Sequence, residues 1–257
     1  MKLKPLFEKR AALLEPEGER EAGRYLVVSD LHIGFEEKFQ GARLKPNVEG
    51  MINELEIMID DTSATDLVIA GDVKSGTDRI LQSEWENVPR FLSRLSKKCK
   101  VSIVPGNHDG GLVNLAPDFV KLEDMNGLLI YDTLVLHGHT RPLLKYKDAR
   151  RLVMGHVHPI FQRRGNPLSG QPVWAFLKLP KKAIFSEILP EDKEQIEVVL
   201  LPSFNLELAS SGYASESSRA ERRVSPIVRQ LREAGDAVVV TLSGEVIGDS
   251  NILSSVL

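Results

Sequence analysis

All six histidines of this 257-residue chain stand directly after short apolar runs. Tyr25 to Val28 leads into Ser29-Asp30-Leu31-His32. Val101 to Val104 leads into Pro105-Gly106-Asn107-His108-Asp109. Leu134 to Leu136 leads into His137-Gly138-His139, and Leu152 to Met154 into Gly155-His156-Val157-His158. A fifth run, Leu67 to Ala70, ends in Gly71-Asp72. Short apolar runs bounded by glycine read as buried strands, and the loops after such strands are free to carry chemistry. Histidines used as ordinary surface residues would be scattered; these are not.

The donors are two aspartates, one asparagine and at least four imidazoles, with no thiolate. Such a set suits borderline divalent ions: Mn²⁺ first, with Fe²⁺, Zn²⁺ and Ni²⁺ as the other candidates. A catalytic ion needs about three protein ligands and an open position. Seven donors therefore suit two ions sharing one carboxylate. Two ions ~3.5–4 Å apart can clamp the attacking and leaving oxygens of an in-line displacement at phosphorus. Their four positive charges exceed the two aspartates, leaving a surplus that matches an anionic phosphate and a hydroxide.

Taken in order, Asp30-x-His32, Gly71-Asp72, Gly106-Asn-His-Asp109, His137 and Gly155-His-x-His158 resemble the calcineurin-like metallophosphoesterase superfamily over roughly residues 25 to 160. The resemblance implies an α/β fold, a four-layer α-β-β-α sandwich of two packed mixed sheets with the metal site at the carboxyl ends of the strands. It implies that Asp30, His32 and His158 hold one metal, that Asp72 bridges, and that Asn107, His137 and His156 hold the other. It implies that His108 faces the phosphate and that Asp109 orients His108. Ser29 to Glu36, Gly71-Asp-Val-Lys74 and Gly155 to Pro159 resemble the SbcD-related and DNA-ligase-associated branch. That branch implies a Mn²⁺-dependent nuclease on single-stranded or branched DNA, with DNA, DNA-repair proteins and a second copy of the chain as partners. The SbcD nucleases carry a histidine where this chain has Ser75. A phosphoesterase for a small substrate, such as a cyclic nucleotide or a UDP-linked lipid precursor, is the alternative. A non-catalytic binding module is a second alternative, although no ligand of the set is missing.

The elements around the motifs follow from periodicity. Val48, Met51, Ile52, Leu55, Met58 and Ile59 form one helical face, with Pro46 in its first turn. Trp85, Val88, Phe91, Leu92 and Leu95 form a second. Alternation of strand and helix predicts parallel strands through Val104. From there the pattern is β-rich: Leu128 to Tyr131 with Leu134 to Leu136 as a hairpin, then strands at 152–154, Ala183 to Phe185 and Ile196 to Leu201. Residues 1–205 read as the metallophosphoesterase domain. Residues 206–257 read as an extension of Ser-rich linker, helix near Ile227 to Ala234, and hairpin from Ala237 to Ile247.

The net charge of −3 gives no global attraction to nucleic acid, yet a local basic groove remains open. Arg141, Lys145, Lys147, Arg150, Arg151, Arg163 and Arg164 flank the last two metal motifs, and Lys178, Lys181 and Lys182 extend the run. His139, Lys74, Arg141, Arg150 and Arg151 are the candidate substrate contacts. Trp174 and Phe176 read as core residues rather than base-stacking platforms. The single cysteine, Cys99, excludes an intrachain disulfide framework. The amino terminus lacks the apolar stretch of a signal peptide, and no run approaches the ~20 residues of a membrane span. The expectation is a cytoplasmic protein with no membrane partner.

Overall fold

Within each motif strand the side chains divide between two cores. Leu26 and Val28 join one apolar cluster and Val27 another; Leu67 and Ile69 divide from Val68 and Ala70 in the same way. Leu134 and Leu136 separate from Val135, and Leu152 and Met154 from Val153. Successive side chains of a strand point to opposite faces, so each strand lies in a sheet covered on both sides. The computed structural model describes residues 1–18, 23–38, 47–185, 194–210, 226–231 and 234–257.

The first sheet runs in order β1 (Lys2–Leu6), β2 (Ala11–Glu15), β3 (Tyr25–Val28), β4 (Asp66–Ile69), β5 (Lys100–Ile103) and β6 (Lys121–Leu122). β1, β2 and β3 pair antiparallel, and β3 to β6 are parallel. Helices α1 (Val48–Thr62) and α2 (Gln82–Leu95) cover its outer face. Val48, Met51, Ile52, Leu55, Met58 and Ile59 of α1 are all buried there, each contributing roughly 1.5–3 kcal/mol, while Ile57 is exposed. Trp85 departs from its expected place: it is exposed while Glu84 beside it is buried. Pro46 lies outside the described residues, as does most of the Ser-rich stretch.

The second sheet contains β7 (Leu128–Ile130), β8 (Thr133–Leu136), β9 (Arg151–Met154), β10 (Val173–Pro180), β11 (Gln195–Leu200), β12 (Asp236–Thr241) and β13 (Val246–Asp249), in order β13-β12-β10-β11-β9-β8-β7. β8, β9 and β11 are parallel, and the other pairs are antiparallel. Both sheets are thus mixed. The cluster holding Val27, Val68, Val135, Val153 and Trp174 fills the space between them. Trp174 is wholly buried and stacks on Phe176 at 6.2 Å between centroids, so it packs the core.

Residues 183–185 differ from the sequence expectation. Lys181–Ile184 form a short helix, and the strand is β10, just before it. Pro180 ends β10, and the first carbonyl of the helix, on Lys181, takes the N–H of Phe185 at 2.8 Å. Trp174 and Lys178 obscured the alternation of β10, because one is a core aromatic and the other an exposed lysine paired with Asp236. Among the described residues no helix is long and apolar enough to cross a membrane.

Candidate metal centre

β3, β4, β5, β8 and β9 all end at one pole of the sandwich, and their following residues meet there. Asp30, His32, Asp72 and His158 each bring one donor atom within 4.8 Å of the others, and all four are buried. His158 Nε2 lies 3.0 Å from Asp30 Oδ1 and His32 Nε2 lies 3.3 Å from Asp72 Oδ2. On the other side of the same Asp72 Oδ2, at 3.3 Å, is His137 Nε2. That nitrogen also faces Asn107 Oδ1 at 3.1 Å and His156 Nδ1 at 3.2 Å. Asp72 therefore stands between two groups of donors. One is Asp30, His32 and His158; the other is Asn107, His137 and His156.

Backbone shape makes this convergence possible. Asp30, His32, Asp72, His156 and His158 all have left-handed φ values, between 42° and 67°. Such conformations cost about 1–3 kcal/mol at non-glycine residues and persist only where the surroundings enforce them. Here the backbone bonds continue past the strand ends: Asp30 N donates to Gly71 O at 3.1 Å, and His32 N to Asp72 O at 2.9 Å. The segment Ser203 to Asn205 closes the loop from the other sheet. Ser203 Oγ donates to Asp30 O at 3.0 Å, and Asn205 Nδ2 to Leu31 O at 3.0 Å. Gly71, at φ 80°, leaves room for the His137 ring, which a Cβ there would strike. Gly155 leaves room for Asp30, whose Oδ2 would lie 2.6 Å from a Cβ at that position.

Ring orientation is fixed by bonds behind the donors. His137 Nδ1 donates to Ala70 O at 2.9 Å, which turns Nε2 toward Asp72. The Asp30 carboxylate accepts the His156 N–H with both oxygens at 3.2 Å. Burial alone would raise the Asp30 carboxyl, but His158 and His137 outweigh it and bring it to about 2. Asp72 is likewise driven up by burial and further down by His137, to well below the usual range. Burial would lower His137, yet Asp72 and Asp30 lift it to about 9. Burial and the nearby His137 push His156 down to about 3 and His139 to about 4. Burial also lowers His32 well below its ordinary value. Ionised carboxylates beside neutral imidazoles are the state a divalent ion requires; His32 and His156 are held in it, whereas the carboxylates keep a proton on His137 that a metal would have to displace. His32 Nε2 and His158 Nε2 are buried without a hydrogen bond among the described residues, so lone pairs are left facing the carboxylates. Asp30, His32, Asp72 and His158 fit a metal ion.

A family model for the calcineurin-like phosphoesterases matches residues 23–186, well over half of the sequence. The chain belongs to the calcineurin-like phosphoesterase family. Members are metal-dependent phosphoester hydrolases, and the buried Asp/His cluster described above is where a metal fits in this member. The chain is also similar to two solved structures. The nuclease MPE of Pseudomonas putida is 21% identical, with a TM-score of 0.49, over 79% of this chain and 88% of that one. Yfce, a phosphoesterase from E. coli, is 15% identical, with a TM-score of 0.38, over 89% of this chain and 98% of that one. No curated protein sequence matches.

Several expected roles change. Both oxygens of Asp109 are taken up by backbone amides. Its Oδ1 accepts the N–H of Val73 at 2.9 Å and of Lys74 at 3.3 Å, and its Oδ2 accepts that of Gly106 at 2.8 Å. The carboxylate thus ties the β4 loop to the β5 loop. His108 is instead oriented by Ser75, whose carbonyl accepts from His108 Nδ1 at 2.8 Å. His108 Nε2 then lies 4.0 Å from Asp72 Oδ2, and its N–H donates to Asp72 Oδ1 at 2.9 Å. Lys74 is wholly buried, and its ammonium donates to the Gly76 carbonyl, so it tethers the loop rather than facing solvent.

The basic cluster does not form one surface at the site. Arg150 and Arg151 stand at the amino end of β9, and five residues at ~3.3 Å each separate Arg151 from His156. Arg151 pairs with Glu197 at 2.8 Å and donates to Met1 O at 3.2 Å. Arg141 is nearer, but its guanidinium donates to Ala183 O and Ile184 O, each at 3.1 Å. Of the substrate candidates His139 stays at the site, half-buried, its ring 5.4 Å from that of His137. Lys181 is buried against Glu194 at 2.8 Å, and Lys178 pairs with Asp236. Arg163 and Arg164, exposed and five and six residues beyond His158, are the part of the run that stays close to a metal motif in sequence.

Proposed function

We propose that this chain is a two-metal phosphodiesterase whose substrate is single-stranded or branched DNA and whose working ion is Mn²⁺. The observation that carries the two-metal reading is Asp72 Oδ2, placed 3.3 Å from both His32 Nε2 and His137 Nε2. Asp30, His32 and His158 hold one ion with Asp72, and Asn107, His137 and His156 hold the other. When bound, such ions supply Lewis acidity and lower the pKa of water in contact with them. The protein's part is to keep Asp30 and Asp72 ionised and, through burial, His32 and His156 neutral. Asn107 is exposed while the other donors are buried or nearly so, so the donor set opens to solvent on its side. His108 contributes one imidazole Nε2 at that opening, with Nδ1 committed to Ser75 O. It stabilises charge on the phosphate or donates a proton to the leaving oxygen. The DNA reading is supported by the strings that resemble the SbcD-related branch and by Arg163 and Arg164 after the last motif.

A second reading, a small phosphodiester substrate, is favoured by the position of Arg150 and Arg151 at the far end of β9, which removes two cations from any groove at the site.

The test uses the full chain with Mn²⁺ and circular single-stranded DNA, beside Asp72→Ala and His108→Ala. Cutting by the wild type, lost in Asp72→Ala and reduced about a hundredfold or more in His108→Ala, is the expected result. Hydrolysis of bis-4-nitrophenyl phosphate without any cutting of circular or linear DNA selects the small-substrate reading. Equal activity of the wild type and both variants refutes the site assignment.

A further inference from the structure

Glu84 lies outside every metal-binding motif, in the first turn of α2, and is wholly buried. Its Oε1 accepts the N–H of Ser75 at 2.8 Å and of Gly76 at 2.6 Å; its Oε2 accepts that of Leu81 at 2.7 Å. The Leu81 bond alone would satisfy the start of the helix. The other oxygen is spent on a loop eight to nine residues earlier in the chain. That loop is held from two other sides: the Lys74 ammonium donates to the Gly76 carbonyl, and the Ser75 N–H is shared with the Ile33 carbonyl at 3.0 Å. Toward the metal pole it presents the Ser75 carbonyl, which receives His108 Nδ1 at 2.8 Å. A carbonyl only accepts, so this contact places the proton on Nδ1 and leaves Nε2 for the reacting side.

We propose that Glu84 is a positioning residue for His108: by clamping Ser75 and Gly76 it fixes the carbonyl that sets the tautomer and direction of the His108 ring. Catalytic consequence follows only if His108 faces the reacting phosphate, so this inference rests on the reading above. The carboxylate is required for its two acceptor oxygens. A glutamine at position 84 has one acceptor and one amide nitrogen, so either the loop or Leu81 loses its carboxylate oxygen, and in the first case Ser75 keeps only the Ile33 carbonyl.

The experiment is a double-mutant cycle on the Mn²⁺-loaded full chain with bis-4-nitrophenyl phosphate, together with the imidazole ¹⁵N spectrum of the Zn²⁺-loaded protein. Glu84→Gln lowers kcat about tenfold with KM and the metal content per chain unchanged. In a His108→Ala background the same substitution costs less than twofold, because its effect passes through that ring. The spectrum shows a single Nδ1–H tautomer of His108 in the wild type and a mixture in Glu84→Gln. If Glu84→Gln does not fold, Glu84→Asp, which draws the carboxylate back by one methylene, carries the same cycle. A tenfold loss in both backgrounds, a loss of bound metal, or an unchanged His108 spectrum overturns the proposal. A wild type with no phosphodiesterase activity overturns the functional reading instead, and the ring spectrum still decides the role of Glu84.

Discussion

Replacing Gly155 by alanine tests the centre by geometry alone. The backbone at Gly155 does not have the positive φ that excludes other residues, so alanine brings no torsional strain. What it brings is one carbon in a place that is already taken. The added Cβ would lie 2.6 Å from Asp30 Oδ2, 2.6 Å from Ser29 Cβ and 2.8 Å from Ser29 Oγ, where ordinary contact begins at 3.4 Å. Asp30 must yield by about 0.8 Å, and it is held on three sides: by the His156 N–H at 3.2 Å, by His158 Nε2 at 3.0 Å, and by Ser203 Oγ on its carbonyl. Overpacking of this kind costs about 1–3 kcal/mol of stability, offset by about 0.4–1 kcal/mol from a stiffer unfolded chain. The functional cost is larger. A shift near 1 Å in a ligand is worth about a hundredfold in rate, and disturbed ligand support about 10–100-fold in metal affinity.

The expected outcome is a folded Gly155→Ala variant, with its melting temperature lowered by only a few degrees. Calorimetric titration with Mn²⁺ should show one of two binding steps weakened by at least tenfold, and kcat/KM for bis-4-nitrophenyl phosphate should fall by about a hundredfold. The step held by Asn107, His137 and His156 should weaken less, since the added carbon meets Asp30 and Ser29 and reaches that group only through the backbone of His156. Wild-type affinity at both steps would refute the reasoning. It would mean that Asp30 either moves freely or is not a ligand.

Two further perturbations test the surroundings of the site. Arg10 is nearly wholly buried, and its guanidinium meets Glu54 at 2.6 Å and the Phe204 carbonyl at 3.1 Å. Arg10→Ala should lower unfolding stability by about 2–3 kcal/mol, read from the urea midpoint at unchanged m-value, because Glu54 and the carbonyl are left without their donor. Burial pushes the Cys99 thiol up to about 11. The thiolate share at pH 8 is then about 0.1%, against roughly a quarter for a free cysteine. Modification by iodoacetamide should be slower by about two orders of magnitude and should rise tenfold per pH unit up to about 11, since only the thiolate reacts.

The donors were legible because each sits within a few residues of a strand end, where the apolar run fixes both the strand and the point at which it stops. Five such stops on two sheets meet at one pole, and the pairing of Asp72 with both groups of imidazoles follows from that meeting. Sequence adjacency misled where it stood in for contact. Asp109 follows His108 directly, yet its carboxylate reaches back across the turn to the amides of Val73, Lys74 and Gly106, and the partner of His108 comes from a different loop altogether. Arg151 and His156 are five residues apart, but a strand between them places them at opposite ends of the sheet. Lys74 stood among the candidate substrate contacts because it is charged and close to Asp72, although the loop it ties down buries it. The supports of the centre were the least visible part. Glu84 is eight to nine residues from the loop it holds, Ser203 and Asn205 are 173 and 174 from Asp30 and Leu31, and each resembles an ordinary polar residue in its own segment. Only the glutamate three residues beyond Leu81, at the start of an amphipathic helix, left a local sign, and it pointed to a cap rather than to the Ser75 loop. Donor types and their order are dictated by local chemistry and can be read from the chain. The atoms that aim those donors are chosen by the packing of distant segments, and here that packing assigns the aiming of His108 to Ser75 and Glu84 instead of Asp109.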